Sequence, residues 1–316
     1  MKLKFAGKKR AQPDPFIFED GGRYYLYVTA GKGVEAYSAA DPFGEWQFEG
    51  VVASIPGCAA YWAPCAIRVG ERVYLYFSCS SEGTDGYGEG MFENLHVMSA
   101  KTPLGPFENP KRLFERFSID AHVVETKAGL FLWYAEDNTD PENGRIGTRV
   151  YVDRLLDPVT PAHQPKEAVI PTCDEEIFMR NRFGDGRDWH TIEGAFWFRE
   201  GEWQYVMYSG ACYENETYHI GYAAAKSDEE DLTKVDFVKH TKDGAFDPVM
   251  IKNGFEEGVG HHSVLKLGGE YYAVYHGRDL CAPGEDGLKG DRRTARICRL
   301  SVKDGVITAE RFEDRV

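Results

Sequence analysis

Five times along the chain a turn gives way to an aromatic-rich strand pattern. The segments are GRYYLYV ending at Val28, ERVYLYF ending at Phe77, GLFLWYA ending at Ala135, GEWQYVMYS ending at Ser209 and GEYYAVYHG ending at Gly277. Aligning Tyr27, Tyr76, Tyr134, Tyr208 and Tyr275 gives separations of 49, 58, 74 and 67 residues. A repeat near 50 residues is the size of one four-stranded propeller blade, and the longer spacings leave room for loop insertions. HVMSA (96–100), RVYVDRL (149–155), HIGYAAAKS (219–227) and RICRLSV (296–302) supply further strand patterns within the units. Helix signals are few, the best being SDEEDLTKV (227–235). No linker divides the chain. The expectation is an all-β fold, a single five-bladed β-propeller over residues 1–316, with blades starting near 14, 61, 118, 190 and 258. A β-sandwich with aromatic hairpins would not require five copies of one unit.

Composition supports strands over helices. The chain carries 6 Trp, 18 Tyr, 19 Phe and 34 Gly, a mixture suited to short strands and tight turns. The formal net charge of −14 disfavours nucleic acid and anionic membranes as partners and otherwise reads as solubility. No apolar run approaches the ~20 residues of a membrane span. The basic start MKLKFAGKKR lacks the apolar stretch of a secretion signal. Seven cysteines without a CxxC pair suit reduced thiols. Together these give a cytoplasmic expectation.

Equivalent positions on propeller blades meet around one axis. Thirteen to fifteen residues before the aligned tyrosines stand Asp14 in QPDPF, Asp120 in SIDAHVV, Glu193 in HTIEGAF and His261 in VGHHSV. The corresponding place in the second unit is Trp62-Ala63, in YWAPCAI. Each acid heads an apolar strand, and burying a carboxylate there costs free energy unless it is paired or used. Three carboxylates in register point to a site. Paired carboxylates are the apparatus of glycoside hydrolysis: one protonates the leaving oxygen, the other activates water. A third carboxylate nearby would raise the acid's pKa, because like charges resist joint ionisation.

On these residues the chain resembles glycoside hydrolase family 43, five-bladed propeller enzymes acting on arabinose and xylose linkages. DPF with the following GGRYYLY, YWAP, SIDAHVV, TIEGAF and GVGHHSV resemble the family's motifs in order, over nearly the whole chain. The resemblance implies Asp14 as catalytic base, Asp120 as orienter and pKa modulator, and Glu193 as proton donor. It puts Trp62 against the bound sugar and His261 on the axis, beside a bound calcium ion or water, which would make His261 a metal ligand. DRRTARI suggests that Arg293 reaches sugar hydroxyls, with Arg292 and Arg296 close by. Cys65 stands where the family usually carries an acidic or polar residue. The stretch PTCDEEIFMRNRFGDGRDWHTIEGAFWF (171–198), with SGACYENETYHIGYA (209–223), is most similar to the arabinofuranosidase and exo-arabinanase branches. Sister families that retain configuration on fructosides would show Asn-Asp-Pro, Arg-Asp-Pro and Glu-Cys motifs, which differ from PDPF, SIDAH and EGAF.

The expected function is an inverting exo-acting glycosidase that releases L-arabinofuranose from short oligosaccharides. The competing readings are a β-xylosidase of the same mechanism and a non-catalytic carbohydrate-binding propeller. Specificity, linkage and oligomeric state are not legible in the sequence. Trp189 and His190 could line the pocket or pack a loop. His276 is expected on an inner strand, with a site role left open, and His262 in a structural role.

Overall fold

The computed structural model describes residues 1–81 and 93–311. The protein is all-β. Two short 3₁₀ turns, Asp174–Glu176 and Leu232–Lys234, are its only helical elements among the described residues. The second falls within the single expected helical stretch.

Five antiparallel meanders follow one another. The first holds Phe16–Asp20, Arg23–Val28, Val34–Ala39 and Glu45–Ala53. The second holds Cys58–Val69, Arg72–Ser81, Asn94–Ala100 and Glu108–Arg112. The third holds Ile119–Thr126, Gly129–Asn138 and Gly147–Asp157, edged by Thr160–Pro161 and Lys166–Val169. The fourth holds Trp189–Glu200, Trp203–Gly210, His219–Lys226 and Val238–Lys239. The fifth holds Glu256–Leu267, Glu270–Asp279, Thr294–Lys303 and Val306–Glu310. A short parallel pairing of Gly147 and Thr148 with His190 and Thr191 joins the third sheet to the fourth.

Each first strand lies against the first strands of both neighbours, and the fifth closes on the first. The apolar core is divided accordingly. One cluster fills each gap: between sheets one and two, two and three, three and four, four and five, and five and one. Every sheet is thus covered on both faces, which is why the inner strands read as nearly unbroken apolar runs. The N-terminal residues bind the ring's seam. Lys4 and Phe5 pair in parallel with Glu45 and Trp46 of the first sheet, while Leu3 N–H donates to Ala295 O of the fifth at 3.0 Å.

One local feature recurs at the head of the first strands. Asp14, Ala63, Asp120, Gly194 and His261 all take left-handed φ values, of 52°, 46°, 61°, 59° and 42°. In sheets two to five the ladder slips at this point, so that Ala63-Pro64, Asp120-Ala121, Gly194-Ala195 and His261-His262 form two-residue bulges. For a non-glycine residue this conformation costs about 1–2 kcal/mol. It persists only where the surroundings hold it, and bulges of this kind re-aim side chains beside sites.

The bulges also correct the alignment of the repeats. Counting thirteen residues on from each left-handed residue gives Tyr27, Tyr76, Trp133, Met207 and Val274. Each of these pairs with the residue two after the bulge's start: Phe16, Cys65, His122, Phe196 and Ser263. Tyr134, Tyr208 and Tyr275 therefore lie one residue too late. A slip of one residue turns a side chain to the opposite face. Tyr27 and Tyr76 pack toward the following sheet, whereas Tyr134, Tyr208 and Tyr275 pack toward the preceding one. All five rings are buried, so aromatic content alone could not separate the two faces.

Candidate active site

The four bulges and the equivalent Asp14 turn meet at one cavity. Its walls come from all five sheets: Asp14, Pro15 and Phe16; Pro64; Asp120 to His122; Gly194 to Phe196; His261 and His262. Of the five positions singled out in the sequence, Asp14, Asp120 and His261 line it, whereas Glu193 and Trp62 do not. Asp14, Asp120 and His261 occupy strictly equivalent positions. Glu193 and Trp62 do not; each stands one residue before its sheet's left-handed residue. Glu193 thus leaves the backbone in a different direction from Asp14 and Asp120.

Asp14 is held from four sides. Thr29 Oγ1 donates to Oδ2 at 2.6 Å and Arg293 Nη1 donates to Oδ1 at 3.2 Å. His276 Nδ1 accepts the Asp14 backbone N–H at 3.1 Å, and His261 Nδ1 lies 3.6 Å from Oδ1. Burial alone would raise this carboxyl. The Arg293 charge, helped by His261, outweighs burial and holds it well below the usual carboxylate range. Asp14 is thus held ionised. Burial in turn pushes His276 down to about 4, so its ring is neutral, with a lone pair for the Asp14 N–H.

Asp120 accepts the Gly194 N–H on Oδ2 at 2.9 Å, and His261 Nδ1 lies 3.7 Å from the same oxygen. Burial, then the charges of Glu193 and Asp14, push it above the usual range. A further acid, Glu93, stands behind it. Its carbonyl accepts the Ser118 N–H at 2.9 Å, two residues before Asp120, and burial pushes its carboxyl up to about 8.

Glu193 accepts the Tyr218 hydroxyl on Oε1 at 2.7 Å. Burial pushes it up to about 7; Tyr218 and Arg293 pull against that, while Asp14 and Asp137 add to it. One carboxylate is thus held ionised and another held protonated close to neutrality, the arrangement that divides base from acid. Two glycines make the geometry possible. A Cβ on Gly260 would meet the Tyr218 ring at 1.8 Å, displacing the tyrosine from Glu193. A Cβ on Gly194, in its left-handed conformation, would press the His261 ring at 3.3 Å.

Tyr218→Phe makes a direct test of this electrostatic reading. The hydroxyl stabilises the ionised form of Glu193, so its removal should raise the acid's pKa. The alkaline limb of a kcat/KM profile should move up by about 1 unit, equivalent to ~1.4 kcal/mol. An unmoved or lowered limb would contradict it.

Of the three arginines in DRRTARI, only Arg293 touches the site. It spends two nitrogens on Asp291, one on Asp14, and lies over the Tyr213 ring at 4.6 Å. Arg292 pairs with Asp286, and Arg296 with Glu256 and Asp279. Arg293 is therefore first the counter-charge of Asp14. Trp62 is half-buried beside Ala63, whose N–H donates to Thr29 Oγ1 at 2.8 Å, within the Asp14 network. Cys65 is buried and accepts the Val123 N–H at 3.5 Å. Trp189 and His190 pack a loop: His190 Nε2 accepts from Arg145 at 2.8 Å.

Thr29 and Tyr218 carry no signal in the sequence, and His276 is legible there as an inner-strand residue with a site role left open. YHGRD and ETYHIGY carry His276 and Tyr218, but nothing in those strings says that they meet residues 262 and 25 positions away.

The expected calcium ion finds few suitable donors. Calcium takes six to eight oxygens. The cavity offers imidazoles and apolar walls, and its two carboxylates already face His261. Among the described residues no three His, Cys, Asp or Glu side chains are grouped to hold a metal. These side chains do not by themselves form an oxygen cage, and no step below is routed through a metal.

The description "Glycosyl hydrolases family 43" belongs to the family model that matches residues 8–307. The chain is 25% identical over 214 residues to a probable arabinan endo-1,5-alpha-L-arabinosidase A of Aspergillus flavus, covering 63% of this chain and 58% of that protein. It is 23% identical over 313 residues to alpha-L-arabinofuranosidase B of Pyricularia oryzae, covering 93% of this chain and 59% of that protein. The chain thus spans under two thirds of the length of these curated relatives. The crystal structure of a thermostable family-43 glycoside hydrolase superposes with a TM-score of 0.77 at 25% identity, covering 97% of this chain and 95% of that one.

Proposed function

The chain belongs to glycosyl hydrolases family 43, and from that premise we propose that it is an inverting, exo-acting glycoside hydrolase built on a five-bladed β-propeller, releasing L-arabinofuranose from arabinan- or arabinoxylan-derived oligosaccharides. Five meanders separated by five apolar cores support the propeller. The observation that carries the activity is the opposite setting of two neighbouring carboxyls, Asp14 held ionised and Glu193 held protonated close to neutrality.

Glu193 gives its proton to the glycosidic oxygen as the bond from that oxygen to the anomeric carbon breaks. Asp14 takes a proton from a water whose oxygen forms the new bond on the opposite face. Asp120 accepts the Gly194 N–H beside Glu193, while burial and the charge of Asp14 keep the acid protonated. Arg293, His276 and Thr29 keep Asp14 ionised and aimed. Trp62 packs against the sugar. Arabinose is favoured by the two arabinose-linked curated relatives, whose names apply to longer proteins.

Two measurements test the reading. NMR of the first product should show inverted anomeric configuration; retention would sink the mechanism. Aryl α-L-arabinofuranoside should be turned over much faster than aryl β-D-xyloside, and the reverse order would replace arabinose by xylose. The same assays give the pH dependence. Activity needs Glu193 protonated and should fall as pH rises through about 7. It needs Asp14 ionised and should fall on the acid side only well below the usual carboxylate range. Sugar binding without hydrolysis at every pH would make the chain a binding module.

A further inference from the structure

Residues 177–189 lead into the strand that carries Glu193, and they form a built surface that the mechanism leaves unused. The Arg182 guanidinium lies over three rings, 5.4 Å from the Phe178 centroid, 5.5 Å from Phe183 and 4.6 Å from Trp189. Phe183 meets Trp189 edge-on at 5.4 Å. Trp189 is covered at 3% exposure, whereas Phe183 is 58% exposed. The loop is pinned at its neck, where Arg180 pairs with Asp188 at 2.9 Å and the Asn181 N–H donates to Asp188 at 2.9 Å. One exposed phenylalanine on a surface is ordinary. An exposed phenylalanine fixed by an arginine stacked across its neighbours is a preformed aromatic face.

Its position relative to the acid follows from the strand pairing. Thr191, two residues before Glu193, pairs with Thr148, and the Thr148 hydroxyl donates to Asp137 Oδ1 at 2.8 Å. Asp137 feels the Arg182 charge, and its own charge is felt by Glu193. Asp137 is thus tied through Thr148 to the strand that carries the acid, within electrostatic reach of both Arg182 and Glu193.

We propose that Phe183, with Arg182 and Asp137 at its edge, is the subsite for the leaving-group sugar. The proposal rests on the glycosidase reading, because an acid that protonates the departing oxygen must stand beside the residue that departs. The ring would take the apolar face of a pentose, while the guanidinium and the carboxylate would meet its hydroxyls. An uncharged, hydroxyl-rich ligand is the class that this mixed surface suits.

The test compares a linear arabinofuranose trisaccharide with methyl α-L-arabinofuranoside, whose leaving group is too small to reach the platform. Phe183→Ala should lower kcat/KM on the trisaccharide by roughly three- to tenfold, mainly through KM, and leave the methyl glycoside unchanged. Phe183→Tyr should keep the trisaccharide rate. Equal loss on both substrates would mean a structural role and overturn the subsite. No loss on either would overturn it as well. A wild-type chain that turned over neither substrate would overturn the arabinofuranosidase reading and the subsite with it.

Discussion

Glu193→Gln should lower kcat/KM on arabino-oligosaccharides by ~10²–10⁴, the usual worth of general acid catalysis. The same variant should lose far less on an aryl glycoside with a stable phenolate leaving group, since that oxygen departs with little help from a proton. Glutamine keeps the shape of the side chain, and its carbonyl can still accept the Tyr218 hydroxyl that now binds Oε1 at 2.7 Å. The loss is therefore chemical and not a matter of folding. The variant should also lose the alkaline limb near pH 7, because the group that titrates there is gone. Initial rates on the two substrates across pH measure all of this. Equal losses on both substrates, or a surviving alkaline limb, would mean that Glu193 is not the proton donor.

The sheet count and the location of the site were legible because both depend on repetition. A five-fold turn-strand unit can be counted in the sequence without knowing which face any residue takes. Register was not legible. Tyr134, Tyr208 and Tyr275 sit one residue beyond the strict equivalents of Tyr27 and Tyr76, and only the bulges at Asp120, Gly194 and His261 reveal it. The same slip explains why Glu193 appeared at fifteen residues from its tyrosine while the other acids appeared at thirteen or fourteen. Partners recruited from remote strands were also hidden. His276 and Arg293 reach Asp14 across the seam between the fifth sheet and the first, a closure that no local pattern encodes. Arg293, expected on the sugar, is tied to Asp14 and Asp291 because a buried ionised base needs its counter-charge first.

Asp14→Asn should lower kcat by ~10²–10⁴ as well, but with a different signature. Activation of water precedes no particular leaving group, so oligosaccharide and aryl glycoside should lose rate together. That shared loss separates the base from the acid in one pair of assays. The substitution removes the charge and little else. Thr29 can still donate to the amide oxygen, the backbone N–H still reaches His276, and Arg293 keeps its bonds to Asp291. Removing the negative charge also lifts a field that raises both Glu193 and Asp120. The residual activity of the variant should therefore show its alkaline limb moved down from about 7. The wild type loses activity in acid only when Asp14 takes a proton, so the variant should show no acid limb of its own. A variant that keeps normal rates, or that loses rate only on the oligosaccharide, would remove Asp14 from the role of base. Thermal melts of the two proteins supply the control, since a left-handed residue at the head of a strand is retained by asparagine as readily as by aspartate.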